Sequence, residues 1–235
     1  MKVFAIGDLH LPGGDDKPMD VFGAHWEGHI ERIAADWAQR VAGDDLVLIP
    51  GDISWAMQLS AALPDLRLIG GWPGQKVILR GNHDYWWPGI TRLRAALPGS
   101  IRAVQNDAAR FGDVTVCGSR GWTLPGAQST PDDLKIYARE LMRLEMSLAR
   151  AGELGGRVIA MTHFPPVLED GSSSEVSELF ERYGVSEVVY GHLHGAANRS
   201  AFCGEKNGVR YTCVSCDRLN FHLQALDAPV VGETP

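Results

Sequence analysis

Two spacings of apolar residues alternate along the 235-residue chain. Short runs rich in branched residues cover Lys2–Ile6, Leu46–Ile49, Lys76–Leu79, Val114–Cys117, Val158–Met161, Glu187–Tyr190 and Arg210–Val214, and each reads as a strand. Longer amphipathic stretches predict helices over Trp26–Val41, Ala56–Ile69, Gly89–Leu97, Pro131–Ala151 and Ser174–Tyr183. In Pro131–Ala151, residues Leu134, Tyr137, Leu141, Leu144 and Leu148 recur at alternating helical steps and line one face. Thr130 and Pro131 supply its N-cap and first-turn proline, and Gly152 is its predicted stop. Pro64 predicts a break or kink in the second helix.

This alternation predicts an α/β sheet with helices on its faces. The last third carries fewer helices between strands, which predicts a more antiparallel part there. No repeat, low-complexity segment or linker divides the chain, so residues 1–235 are expected to form one domain. The longest polar loops, Leu11–Phe22 and Pro165–Ser174, each start just behind a histidine.

Composition narrows the class without naming a function. With 45% hydrophobic and 22% charged residues the chain is of the soluble globular kind. A net charge of −7 argues against a broad nucleic-acid surface. It does not argue against an anionic substrate, because bound cations reverse the field inside a site. The N-terminal apolar run is too short for a signal-peptide core, and no stretch reaches the length of a membrane span. A cytoplasmic location is therefore expected. Four unevenly spaced cysteines agree with it, being no disulfide framework.

Chemistry concentrates where strands end. Asp8-Leu9-His10 follows the first strand; in extended backbone its two outer side chains would project to one side. Gly51-Asp52 follows the second, where an aspartate also suits a helix N-cap. Gly81-Asn82-His83-Asp84 follows the third and joins a neutral oxygen, a titratable imidazole and a carboxylate able to orient it. His163 stands before two prolines that stiffen its loop, and Gly191-His192-Leu193-His194-Gly195 pairs two histidines between glycines. Any one of these is weak evidence. Five strands, each delivering its polar cluster at the carboxyl end, predict a shared rim. Four histidines, two aspartates and an asparagine there suit Mn, Fe, Zn, Co or Ni rather than Ca or Mg, and exceed the needs of one ion.

In this order the motifs resemble the calcineurin-like metallophosphoesterases, and most of all their small bacterial members known only as predicted phosphohydrolases. The match runs from Asp8 to His194. The resemblance implies a four-layer α/β/β/α sandwich with two central mixed sheets. It implies that Asp8, His10 and His194 hold a first metal, that Asn82, His163 and His192 hold a second, and that Asp52 bridges them. His83 would face the substrate with Asp84 as its orienting partner. The implied reaction is hydrolysis of a phosphate ester by in-line attack of a metal-activated hydroxide, with two Mn, Fe or Zn ions as cofactors. His83, if protonated, would assist the leaving oxygen.

One departure stands out. Phosphoprotein phosphatases of the family carry an acid and an arginine after the Gly-Asp motif, whereas Asp52 precedes Ile53-Ser54-Trp55-Ala56-Met57 here. A protein-phosphatase role is not expected. A phosphate clamp is left to the metals or to Arg80, Arg120, Arg199 or Arg218, each more often a structural residue. Small-molecule phosphate esters are the expected substrates; a nuclease or cyclic-nucleotide phosphodiesterase is the alternative, and a non-catalytic binding scaffold a remote one. Trp55, Trp86 and Trp87 read equally as an aromatic rim or as core. Cys213 and Cys216 have zinc-like spacing but no second pair, and His25-Trp26-Glu27-Gly28-His29 reads as the polar start of a helix.

Overall fold

A computed structural model describes residues 1–14 and 19–226, so the loop expected over Leu11–Phe22 lies partly outside the described residues. Two sheets carry the chain. The first has the order β11-β1-β2-β3-β4, formed by β1 (Val3–Ala5), β2 (Leu46–Ile49), β3 (Gln75–Ile78), β4 (Ile101–Ala103) and β11 (Gln224–Ala225). The second has the order β5-β6-β7-β8-β10-β9, from β5 (Ala108–Phe111), β6 (Val114–Gly118), β7 (Arg157–Thr162), β8 (Glu187–Tyr190), β9 (Gly204–Lys206) and β10 (Val209–Cys213). Helices α1 (His29–Arg40), α2 (Leu59–Gly71) and α3 (Ile90–Ala96) connect strands of the first sheet. Helices α4 (Pro131–Leu154) and α5 (Glu175–Arg182) connect strands of the second.

The strand pattern explains the layering. Along β6, β7 and β8, alternate residues face opposite ways and both sets are apolar, as in a sheet buried on two faces. Val116, Ile159, Met161 and Val189 join the core of the first sheet and of α1, α2 and α3. Their neighbours Cys117, Ala160, Val188 and Tyr190 pack instead with Leu144 and Leu148 of α4 and Phe180 of α5. The result is the α/β/β/α sandwich with mixed sheets.

Several expectations need correction. The antiparallel part expected in the last third is limited to β9 and β11, since β10 pairs parallel with β8; among the described residues β5 adds one antiparallel strand earlier. Pro64 does not break α2, which is continuous over Leu59–Gly71 and buries Ala62, Leu66 and Ile69. The proline removes one hydrogen bond close to the helix start, and tertiary packing outweighs that loss. Helix α4 runs through the exposed Gly152 and ends at Gly155, whose left-handed backbone (φ 67°) and N–H bond to Ala151 close it. Helix α1 starts at His29 rather than Trp26, because Gly28 adopts φ 61° and separates it from the 3₁₀ turn Ala24–Trp26.

Among the strands named, β1, β2, β3 and β4 are mutually parallel, and so are β6, β7, β8 and β10. The two sheets meet where they end. Gly7, just past β1, bridges to Ser215, just past β10, and donates its N–H to Val214 O at 2.7 Å. The motif-bearing loops therefore open onto one common rim.

Candidate active site

All seven predicted ligands come together at that rim. The backbone there is unusual: Asp8, His10, Asp52 and His192 all have positive φ, at 58°, 46°, 51° and 74°. Left-handed backbone is uncommon for residues other than glycine and recurs at functional sites held by their surroundings. It also corrects the reason given for the Asp8–His10 spacing. The two side chains converge through a twisted turn, not through extended backbone. The turn is fixed by N–H bonds from Asp8 to Gly51 O and from His10 to Asp52 O, both 3.0 Å.

Two glycines permit the close approach. A Cβ on Gly81 would collide with Asp52 Oδ1 and the Asp52 backbone nitrogen, and one on Gly191 would collide with Asp8 Oδ2. The ordinary backbone angle of either residue would tolerate a side chain; the carboxylates would not.

The ligand atoms form two groups around Asp52. In the first, His10 Nε2 and His194 Nε2 are 3.4 Å apart, with Asp8 Oδ1 3.5 Å from His194 Nε2. In the second, Asn82 Oδ1 lies 2.6 Å from His163 Nε2 and 2.9 Å from His192 Nδ1, with those nitrogens 3.3 Å apart. Asp52 Oδ2 stands between the groups, 3.9 Å from His10 Nε2 and 3.5 Å from His163 Nε2. Asp8, His10 and His194 can share one ion, and so can Asp8, Asp52 and His163. Imidazole nitrogens aimed at one another, among carboxylate oxygens, are a poor arrangement for hydrogen bonding and a good one for a transition metal. The residues therefore fit the ions.

Outer partners set which nitrogen points inward. His163 Nδ1 meets the Pro50 carbonyl at 3.0 Å, and His194 Nδ1 meets Asp217 Oδ1 at 2.9 Å. When each Nδ1–H donates outward, Nε2 offers its lone pair to the site. Asp217, which also accepts from Gly195 N and Asn198 Nδ2, was not among the predicted residues. It follows His194 by 23 positions in no recognisable motif. His10 lacks such a partner for its buried Nδ1 among the described residues, and its ring is held by stacking on Trp55 at 4.7 Å.

Electrostatics reflect the crowding. Burial pushes the His10 and His163 imidazoles down, to about 3 and about 4. Asp52 is pushed up to about 9 by burial and by the nearby Asp84 and Asp8. Burial would also raise Asp8, but hydrogen bonding and charge from His194, with help from His163 and His10, hold it low. His194 is pulled down by burial yet raised overall to about 10 by Asp217 and Asp8. Charges this tightly opposed would be relieved by cations.

His83 lies beside the ligands. Its N–H donates to Asp52 Oδ1 at 2.8 Å, and its ring packs on Trp55 (4.7 Å) and near His10 (5.9 Å). The expectation for Asp84 is corrected. Rather than orienting His83, its carboxylate accepts from the N–H groups of Gly81, Ile53 and Ser54 and from Trp86 Nε1. Asp84 ties the third motif loop to the second. Trp86 and Trp87 are core residues, 2% and 5% exposed, whereas Trp55 lines a cleft of about 380 Å³ with Met19, Phe22 and Trp26. His10, His83 and His194 border the same cleft, and so does His25. His29 is turned inward onto Leu9 O, and Cys216 Sγ–H donates to Asp8 O, so neither pairs into a separate zinc site.

Fold and site define a metal-dependent phosphoesterase. The chain belongs to the calcineurin-like phosphoesterase family, which matches residues 1–196. No curated protein sequence matches it. Among solved structures it is similar to phosphopantetheinyl hydrolase (PptH) from Mycobacterium tuberculosis, at 15% identity and a TM-score of 0.55, covering 100% of this chain and 98% of that one. It is also similar to AQ665 from Aquifex aeolicus, a protein of unknown function, at 14% identity and a TM-score of 0.52, covering 95% of both chains. At such identities the likeness is one of fold.

Proposed function

We propose that the protein is a two-metal phosphoester hydrolase acting on small esters whose leaving group is apolar. The observation that carries this reading is the pair of ligand groups sharing Asp52, with His83 and an aromatic cleft at their side. Asp8, His10, Asp52 and His194 would hold one ion, and Asp52, Asn82, His163 and His192 the other. When bound, the ions supply Lewis-acid charge for the phosphate oxygens and make water a nucleophile near neutral pH.

The remaining work falls to the side chains. Asp217 and the Pro50 carbonyl keep the ligand tautomers of His194 and His163. Asp84 clamps the Asn82-His83 loop against Asp52. His83, anchored through its backbone N–H and packed on Trp55, presents its imidazole at the edge of the cleft; burial lowers its pKa, and in its protonated form it would pass a proton to the departing oxygen. Met19, Trp26 and Trp55 exclude water from that departing group. Manganese, iron and zinc all suit the mixed nitrogen and oxygen donors. Among the described residues no helix is long and apolar enough to cross a membrane.

The test compares chromogenic phosphate monoesters and diesters, using chelator-stripped protein and protein loaded with Mn, Fe or Zn. Turnover that needs metal and favours aryl over alkyl esters supports the reading. Absence of turnover with every metal would leave a binding scaffold as the better account, and preference for nucleotide diesters would favour the phosphodiesterase.

A further inference from the structure

The rim that holds the ligands continues sideways, to the ends of β4 in one sheet and β6 in the other. There the histidines stop and arginines begin. Arg80 follows β3 directly before Gly81, Arg120 follows β6, and Arg143 reaches in from α4. Together with Gln105, Asn106 and Glu140 they line a cavity of about 80 Å³. One water needs roughly 10–15 Å³ of such space, so the cavity has room for several waters or a small oxyanion.

Two of the three guanidinium groups share one buried carboxylate. Glu140 is 4% exposed, lies 2.6 Å from Arg143 and 3.8 Å from Arg120, and neutralises one charge. Arg80 Nε donates to Asp84 O at 3.3 Å, and the Arg120 guanidinium sits 4.9 Å over the Trp122 ring, which holds both arginines in place. Burial lowers the Arg120 pKa, with Glu140 opposing and the like charges of Arg80 and Arg143 adding to the fall. The arrangement thus gathers positive charge beyond what its carboxylate balances, in a chain that is acidic overall. Planar forked donors in that setting are suited to a tetrahedral oxyanion.

We infer that this cavity is an oxyanion subsite, taking a phosphate group through Arg80, Arg120 and Arg143 beside the ligand rim. The backbone joins the two places directly: Arg80 precedes the Asn82 loop, and Arg120 O accepts the N–H of His163 at 3.0 Å. The phosphate is either a second one on the substrate or a free inorganic ion. The inference goes beyond the phosphoester reading and stands on its own evidence, since anion binding requires no turnover.

The experiment is a calorimetric titration of chelator-stripped, full-length protein with inorganic phosphate, which removes binding through metal ions. Parent protein should bind saturably, with affinity about tenfold or more weaker in Arg143→Gln and in Arg120→Gln, the loss expected for a charged hydrogen bond. Arg150→Gln, which removes a charge from the same helix but from an exposed pair with Glu153, should bind like the parent. Arg143 is exposed, so its variant carries the test if Arg120→Gln fails to fold. Absence of saturable binding by the parent, or equal affinity in all four proteins, would overturn the inference. The source of the phosphate follows from kcat/KM of metal-loaded protein on a monoester and on the same alcohol bearing a second phosphate. A loss in Arg143→Gln confined to the doubly phosphorylated ester assigns the cavity to substrate; unchanged kinetics with weakened phosphate binding assigns it to the free ion. If neither ester is hydrolysed, the phosphoester reading fails while the calorimetric result still decides the subsite.

Discussion

Asp52 and His83 are neighbours with different tasks, and single substitutions separate them. Asp52→Asn keeps the volume and the bond from His83 N–H but weakens the donor that stands between both ligand groups. It is expected to lower metal content, read by elemental analysis, together with activity. His83→Ala removes a ring that ligates nothing, so metal content should match the parent while kcat falls about 100-fold or more, the usual share of a general acid. Full activity in that variant would remove His83 from the mechanism. Asp217→Asn tests the residue that sequence reasoning missed. It keeps the hydrogen bond to His194 Nδ1 within reach but withdraws its charge, and metal affinity should fall roughly 10–100-fold by competition titration. The candidate ligands were legible as a set because each sits in a short motif behind a strand. Asp217 was not, because an outer partner is defined only by the fold that brings β10's end to His194. The twisted backbone at Asp8 and His192 was equally hidden; composition around them shows only glycines nearby.

At the scale of elements, the interior strands were the most readable. Strands β2 and β8 have the expected boundaries, since four consecutive buried residues leave no doubt about a doubly covered strand. The short strands β4, β5, β9 and β11 were not expected, because edge strands of two to four residues are defined by a partner rather than by their own pattern. Strand β3 conceals a further departure: Lys76 is fully buried, donates to Gly70 O and Trp72 O at the C-terminal end of α2, and has its pKa lowered by burial to about 8. An unfolded lysine keeps its proton up to about pH 10.4. Between about 8 and 10.4 the unfolded chain therefore holds more protons than the folded one, and this residue's contribution to stability improves as pH rises. Below pH 8 both states are protonated and the burial penalty is constant. Lys76→Met removes that penalty along with two hydrogen bonds. Whatever its net effect at neutral pH, the variant should lose ground to the parent steadily between pH 8 and 10, measured as the difference in urea midpoints. A constant difference across that range would place the ammonium in a more hydrated setting.

For the whole molecule, the decisive feature is that the proposed ligands belong to both sheets. Asp8, His10, Asp52 and Asn82 follow β1, β2 and β3, whereas His163, His192 and His194 follow β7 and β8. The sheets are joined by the apolar interior and by the backbone bridge at Gly7, neither of which involves the metal-site residues' side chains. Ions bound at the rim would add a second tie at one edge of the same interface. They bind the folded state and find no preformed site in the unfolded one, so they raise stability by mass action. Addition of Mn or Zn to stripped protein should raise Tm by several degrees, and should slow amide exchange most in the loops after β1, β3, β7 and β8. Gly191→Ala provides the matching control at the interface itself. Its new Cβ would displace the Asp8 carboxylate, so stripped protein should still fold while the metal-dependent rise in Tm disappears. If the rise persists in that variant, the ions are bound somewhere other than between the sheets, and the shared rim loses its role as their site.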